Sequence, residues 1–191
     1  MIQQSLELIR RRLNAYLAPG DPAADTWVVL SNVVDHEGRP FGGAENRLIM
    51  CLANVEYEVA MSSPGRTAVR TGSVFASVAA PRFINAWVLF MANFLNERYP
   101  DGLDMLSRTI AFFQQNPVFT HATDPQLDAN LSKISMEMMN LDLTQLNYVT
   151  SMLGAKYVPM VCYKLRMLPF TSDAIQGMTP PVRSTGLPGK E

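Results

Sequence analysis

The sequence predicts an α+β fold, an antiparallel-rich sheet of about five strands with about three helices packed on it. Three observations predict it. Apolar residues recur at helical spacing in three windows. In several other windows they alternate with a period of two. Most strand-like windows follow one another without the crossover helix that parallel neighbours need. The 191 residues suit one domain, or one domain plus tails. We place that domain at 1–170 and a flexible, Pro/Gly-rich C-terminal tail at 171–191.

Ile2, Leu6, Ile9, Leu13 and Leu17 set a helix over 2–17, with Glu7, Arg10, Arg11 and Asn14 off the stripe. Pro19, Gly20 and Pro22 end it. Adjacent Arg10, Arg11 and Arg12 raise a membrane-surface reading. The stripe lacks Trp and Phe and no Lys supports the arginines, so a packed helix with one solvated charged turn fits better. Trp27 to Val33 is β-branched and aromatic, a strand, and Gly38, Pro40, Gly42 and Gly43 mark the loop after it.

Asn46 to Ala60 is the strongest strand signal. Ile49, Cys51, Ala53, Val55, Tyr57 and Val59 form one apolar face. The other face begins with Leu48, Met50 and Leu52, then turns polar at Asn54, Glu56 and Glu58. One end is therefore expected to be covered on both sides, and the other to show one face to water or a partner. Residues 61–81 are rich in Ser, Gly and Ala without an apolar period, which predicts a mobile hairpin tip. Alternation returns over 82–94.

Leu103, Leu106, Ile110 and Phe113 predict a helix over 101–115, stopped by Asn116-Pro117. Lys133 to Leu141 alternates again. Asp142 and Gln145 spell an Asp-led capping box, and Gly154 suits a left-handed cap for the helix between them. Val158 to Phe170 is a last strand, with Val161, Tyr163, Leu165 and Met167 on one face and Lys164 and Arg166 on the other.

Charged residues make up 17 % of the chain, against roughly 25 % in an average protein. A charge-poor chain with an ordinary 48 % hydrophobic content points toward assembly with copies of itself or a partner. The net charge of -1 disfavours a nucleic-acid binder. Cys51 and Cys162 are the only cysteines, which excludes a disulfide scaffold and a Cys-rich zinc site and suits a reducing place of synthesis. The N-terminus lacks the apolar core of a signal peptide. The apolar stretch from Phe83 to Leu95 is interrupted by Asn85 and Asn93 and falls short of the roughly 20 residues of a span. The chain is expected to be soluble, cytoplasmic when made, and without a membrane partner.

Chemistry-bearing motifs are scarce. His36 and His121 are the only histidines. Asp35-His36-Glu37 has poor chelating spacing, since adjacent side chains diverge, and Gly38 marks a turn. Ser31 lacks a nucleophile elbow, and Gly42-Gly43 lacks the Lys-Ser/Thr of a phosphate loop. His121 falls in a polar turn. No catalytic, cofactor-binding or metal residue is expected. Glu56 with Glu58, and Lys164 with Arg166, each share a strand face. Paired carboxylates at this spacing suit acid–base work. A solvated or intersubunit strand face fits better, and these four are the candidate interface residues, since opposite charges pair across a sheet or a subunit boundary. Met136, Met138, Met139, Met152, Met160 and Met167 serve a core by default, or an adaptable interface.

Three stretches carry a family resemblance: Leu103 to Thr120, with Phe112-Phe113-Gln114 and Asn116-Pro117-Val118-Phe119-Thr120; Leu131 to Asn147; and Leu153-Gly154-Ala155-Lys156-Tyr157-Val158-Pro159 running to Tyr163-Lys164-Leu165-Arg166-Met167. In this order they resemble the cap, or tail-terminator, proteins of extracellular contractile injection systems of the antifeeding-prophage type. The likeness spans roughly residues 2–170. It implies a structural protein without cofactor, forming a six-fold ring on the distal end of inner tube and sheath. The ring ends polymerisation and holds the last sheath layer. Its partners would be further copies of the chain and the sheath and inner-tube proteins. An adaptor between baseplate and tube is the alternative within the same kind of particle, and a small-ligand enzyme the alternative outside it. Loop 35–46 and tip 61–81 match no family pattern, so no contact roles carry over to them.

Overall fold

The computed structural model describes residues 1–17, 27–35, 37–39, 42–58, 66–71, 74–79, 82–170 and 175–179, with backbone alone at 66–71, 74–79, 175–179, 167 and 170. The expected helix stop at Pro19 to Pro22 and His36 lie outside the described residues. Contacts divide the chain into two compact units, 1–56 with 84–168, and 57–83 with 169–191.

The larger unit carries α1 (Ile2–Leu17), β1 (Val28–Leu30), β2 (Arg47–Tyr57), β5 (Arg82–Asn93), α2 (Tyr99–Gln115), β6 (Val118–Thr120), β7 (Lys133–Met139), α3 (Leu143–Leu153) and β8 (Met160–Phe170). Its six strands run in the order β1-β2-β5-β8-β7-β6. β6, β7 and β8 pair antiparallel, but β1 lies parallel to β2, with Val28 opposite Leu48. The sheet is therefore mixed: the expected antiparallel-rich sheet carries a parallel pair at this edge. β6 was not expected: three residues are too few to show a period, and it exists by pairing with β7, Phe119 opposite Ile134.

The sheet buries both faces. On one, Leu6, Ile9 and Leu13 of α1 and Leu106, Phe112 and Phe113 of α2 pack on Leu48, Met50, Val88, Phe90, Tyr163 and Leu165. On the other, Ile49, Cys51, Leu89, Met91 and Cys162 are covered partly by Val149 and Leu153 of α3. Helices thus lie on both faces. Double coverage explains why central strands read as apolar runs, such as Leu48 to Cys51. Aromatic rings tie the first core together: Phe113 lies 4.5 Å from Tyr163, and Phe112 meets Phe113 edge-on at 5.0 Å between centroids. At the start of α2, Gly102 lets the helix close on Phe94; a Cβ there would stand 3.0 Å from the Phe94 Cβ.

α3 has the expected ends. Asp142 accepts from the Gln145 N–H at 2.8 Å, the Gln145 side chain accepts from the Asp142 N–H at 3.0 Å, and Gly154 takes φ 64°. None of its residues is fully buried.

The smaller unit holds β3 (Arg66–Thr71), β4 (Val74–Ala79) and β9 (Ile175–Thr179), an antiparallel sheet in the order β3-β4-β9. Residues 66–71 and 74–79, expected to be structureless within the tip, form a hairpin, and 175–179, expected in the tail, is a strand. The register of the hairpin runs from Arg66 opposite Ala79 to Thr71 opposite Val74. Ala68, Ala76, Ser77 and Ala79 dilute the apolar contrast that a period needs, which hid the strands from the sequence.

Candidate functional site

Of the four candidate interface residues, Glu56, Lys164 and Arg166 lie in the larger unit and Glu58 in the smaller. The first three form a charge ladder across the sheet. β8 sets Lys164 opposite Glu137 of β7, and Arg166 opposite Ser135. The Lys164 ammonium pairs with the Glu56 carboxylate and lies 5.7 Å from the centre of the Trp87 ring. Arg166 donates to Glu137 at 3.0 Å. Two carboxylates balance two cations, so this face is not a free basic surface. Glu58 is half-buried, and its backbone N–H donates to the Phe83 carbonyl at 2.8 Å.

Val55 and Tyr57 of β2, expected on an apolar face with Ala53, are exposed, while Glu56 between them is half-buried and paired with Lys164.

The Glu56 pKa is lowered, chiefly by the hydrogen bond from Lys164, with partial burial opposing and Trp87 and Asn85 adding smaller contributions. Burial pushes the thiols of Cys51 and Cys162 up, the latter to about 11. Both are free and buried, poor nucleophiles at neutral pH.

Other polar clusters resolve into structural roles. Asp35 accepts from the backbone N–H of Glu37 at 2.9 Å and of Arg39 at 2.8 Å, an Asx-type turn ahead of Gly38 at φ 76°. No group of three metal-binding side chains occurs among the described residues. His121 Nε2 meets the Leu131 carbonyl at 2.8 Å within a turn. The three arginines of α1 all have partners: Arg10 pairs with Glu7 at 2.7 Å, Arg11 donates to Gln126 at 2.7 Å, and Arg12 pairs with Asp124 at 3.1 Å. Arg11, Arg12 and Asp124 line an open groove beside α1, where Asp124 is taken up by its ion pair with Arg12 and by the Thr123 hydroxyl, from which it accepts at 3.0 Å. No helix among the described residues is long and apolar enough to cross a membrane.

What sequence reasoning missed is apolar and exposed. Leu143, Tyr148 and Met152 of α3, with Tyr157 beyond it, face solvent. So do Leu95, Tyr99 and Leu103 around the start of α2. The readable signal was that α3 contains no charged residue at all.

A family model described as the Pvc16 N-terminal domain matches residues 6–184. In fold, the chain is similar to the sheath/tube terminator of an extracellular contractile injection system, PVC, in the extended state. The TM-score is 0.67 at 11 % identity, over 100 % of this chain and 64 % of that one. It is also similar to the anti-feeding prophage cap, a tube-terminating cap, with a TM-score of 0.61 at 13 % identity, over 96 % of this chain and 59 % of that one. The chain thus spans about three fifths of the length of either structure. No curated protein matches it by sequence.

Proposed function

Because the chain belongs to the Pvc16 N-terminal domain family, we infer that it is a structural cap that closes the distal end of a contractile injection particle. The observation that carries this reading is the likeness of the whole chain to a sheath/tube terminator. Both similar structures are named for terminating or capping, and a non-enzyme reading follows. The cap acts as a ring of six copies on the inner tube and the last sheath layer, needing no cofactor, nucleic acid or membrane. It is made in the cytoplasm and leaves as part of the particle.

The mechanism is physical. A growing tube or sheath exposes strand edges and patches that template the next layer. A ring that matches this template on one side, and offers no copy of it on the other, stops addition. Its contacts are head-to-tail and must close by rotation. The effect is stoichiometric, one ring per tail. Among the candidate interface residues, Arg166 and its partner Glu137 are the more exposed end of the ladder and the part open to a neighbour.

The test is deletion of the gene followed by electron microscopy of particles. Tube and sheath subunits should still polymerise, but tails should lose their defined length or their firmly extended sheath. Particles of normal length with a stable sheath overturn the reading. A ring at the baseplate end would replace it with the adaptor.

A further inference from the structure

We propose that the exposed apolar face of α3 docks on the Leu95–Tyr99–Leu103 patch of a second copy of this chain, and that this contact builds the ring. The proposal rests on the cap reading and names its contact faces.

Two patches stand out in the larger unit. On α3 and just beyond it, Leu143 is 85 % exposed, Tyr148 68 %, Met152 64 % and Tyr157 63 %. Around the start of α2, Leu95 is 50 % exposed, Tyr99 47 % and Leu103 43 %. Tyr148 and Met152 are one helical turn apart, as are Tyr99 and Leu103, so each pair makes a continuous stripe. Large aromatic and thioether groups left open in this number favour a partner over water.

Their placement and charge select a second copy. α2 packs on one face of the sheet and α3 on the other, so the patches look in different directions from one rigid core. A head-to-tail ring needs two unlike patches of this kind on every subunit, whereas a two-fold dimer needs one self-complementary patch. α3 carries no charge. Beside the other patch Arg98 pairs with Asp101 at 3.0 Å and Arg108 with Asp104 at 4.0 Å, which leaves the exposed Glu97, between Leu95 and Tyr99 in sequence, without a charged partner among the described residues. At the start of α3 Asp142 is taken up as the helix cap, and beyond its end the exposed Lys156, beside Tyr157, carries the charge opposite to Glu97, so two copies meet with complementary charge at the rim.

The experiment uses the full chain with Tyr148→Glu and, separately, Tyr99→Glu, followed by sedimentation and native mass spectrometry. Both sites are exposed, so circular dichroism should match the unsubstituted chain. That chain should form closed rings. Each variant should weaken self-association roughly thirtyfold or more, as loss of an interface anchor does. An equimolar mixture should form one-to-one dimers and stop there, because one variant keeps the α3 face and the other keeps its receptor. Rings formed by either variant alone, or a mixture that stays monomeric, overturn the proposed faces while leaving the terminator reading standing. An unsubstituted chain that stays monomeric at its highest soluble concentration also overturns the contact; the deletion micrographs judge the terminator reading separately.

Discussion

The side chain of Asn14 closes a two-bond ring on the backbone of Val28, accepting from its N–H at 2.8 Å and donating to its carbonyl at 3.1 Å. Val28 belongs to β1, the edge of the six-stranded sheet, and both residues are buried. The amide thus takes the place of a missing strand and fastens α1 to the sheet edge. Replacing Asn14 by Leu should orphan the buried Val28 N–H and leave its carbonyl only the long 3.4 Å contact from Arg10, lowering unfolding stability by about 2 kcal/mol. Asn14→Asp keeps the acceptor alone and should also destabilise. Urea denaturation checks both, and a change below the fitting error would mean that water satisfies Val28 instead.

Phe112→Ala should cost about 3–5 kcal/mol, because the ring is buried among Tyr16, Phe113 and Phe119. Leu146 of α3, by contrast, is only half-buried. Leu146→Ala should therefore cost clearly less, about 1 kcal/mol. Equal losses in thermal midpoint would contradict this ranking.

Gly102→Ala sets helix propensity against space. Alanine gains up to about 1 kcal/mol in a helix interior. Its Cβ, however, would meet the Phe94 Cβ at 3.0 Å and Cδ2 at 3.1 Å. Phe94 is buried with Arg98 over its ring, and its Cβ is fixed by the backbone, so the clash should win and lower the melting temperature. A raised midpoint would mean that α2 slides away at no cost.

Reversing Lys164 and Arg166 to Glu breaks two ion pairs within the chain as well as any docking contact. The double reversal should therefore lower stability. Lys164→Glu alone should destabilise more than Lys164→Met, since it sets like charges together at Glu56. Adding Glu56→Lys should restore part of the loss, with a coupling of about 1 kcal/mol in a double-mutant cycle. Strict additivity would remove the ladder from the account of stability.

Stability should fall on the alkaline side through Cys162, whose pKa rises from an ordinary 9.0 to about 11 in the fold. The unfolded thiol ionises first, so its contribution is intact below pH 9.0 and is lost as pH rises toward about 11. Cys162→Ala should flatten that slope in pH-dependent denaturation. Glu56 has the opposite sign: its lowered pKa adds stability above the usual carboxylate range, lost on acidification.

Elements with strong contrast were legible in the sequence. The stripe Leu6, Ile9, Leu13 and Leu17 gave α1 its span, and Asp142, Gln145 and Gly154 gave α3 both ends. What escaped depends on tertiary partners. Asn14 looked like a solvent residue because a polar side chain carries no mark of the backbone it will bond. A charged side chain carries no mark of which opposite charge it will meet, so the Glu56–Lys164 pair could be offered only as one way of matching charges. The exposed face of α3 shares its residue types with a core, and only the absence of charge set it apart.

The small sheet has a consequence in time. Val78 of β4 pairs with Ile175 of β9, at opposite ends of a long stretch of chain. During synthesis the β3–β4 hairpin waits as a bare two-stranded ribbon, which is marginal in water, until nearly all of the larger unit has been made. Its third strand arrives last, directly behind β8, which the larger sheet needs at its centre, so both sheets are completed in the same closing stretch of synthesis. A released chain ending at residue 174 should be protected in α1 and α2 and open to protease in the hairpin.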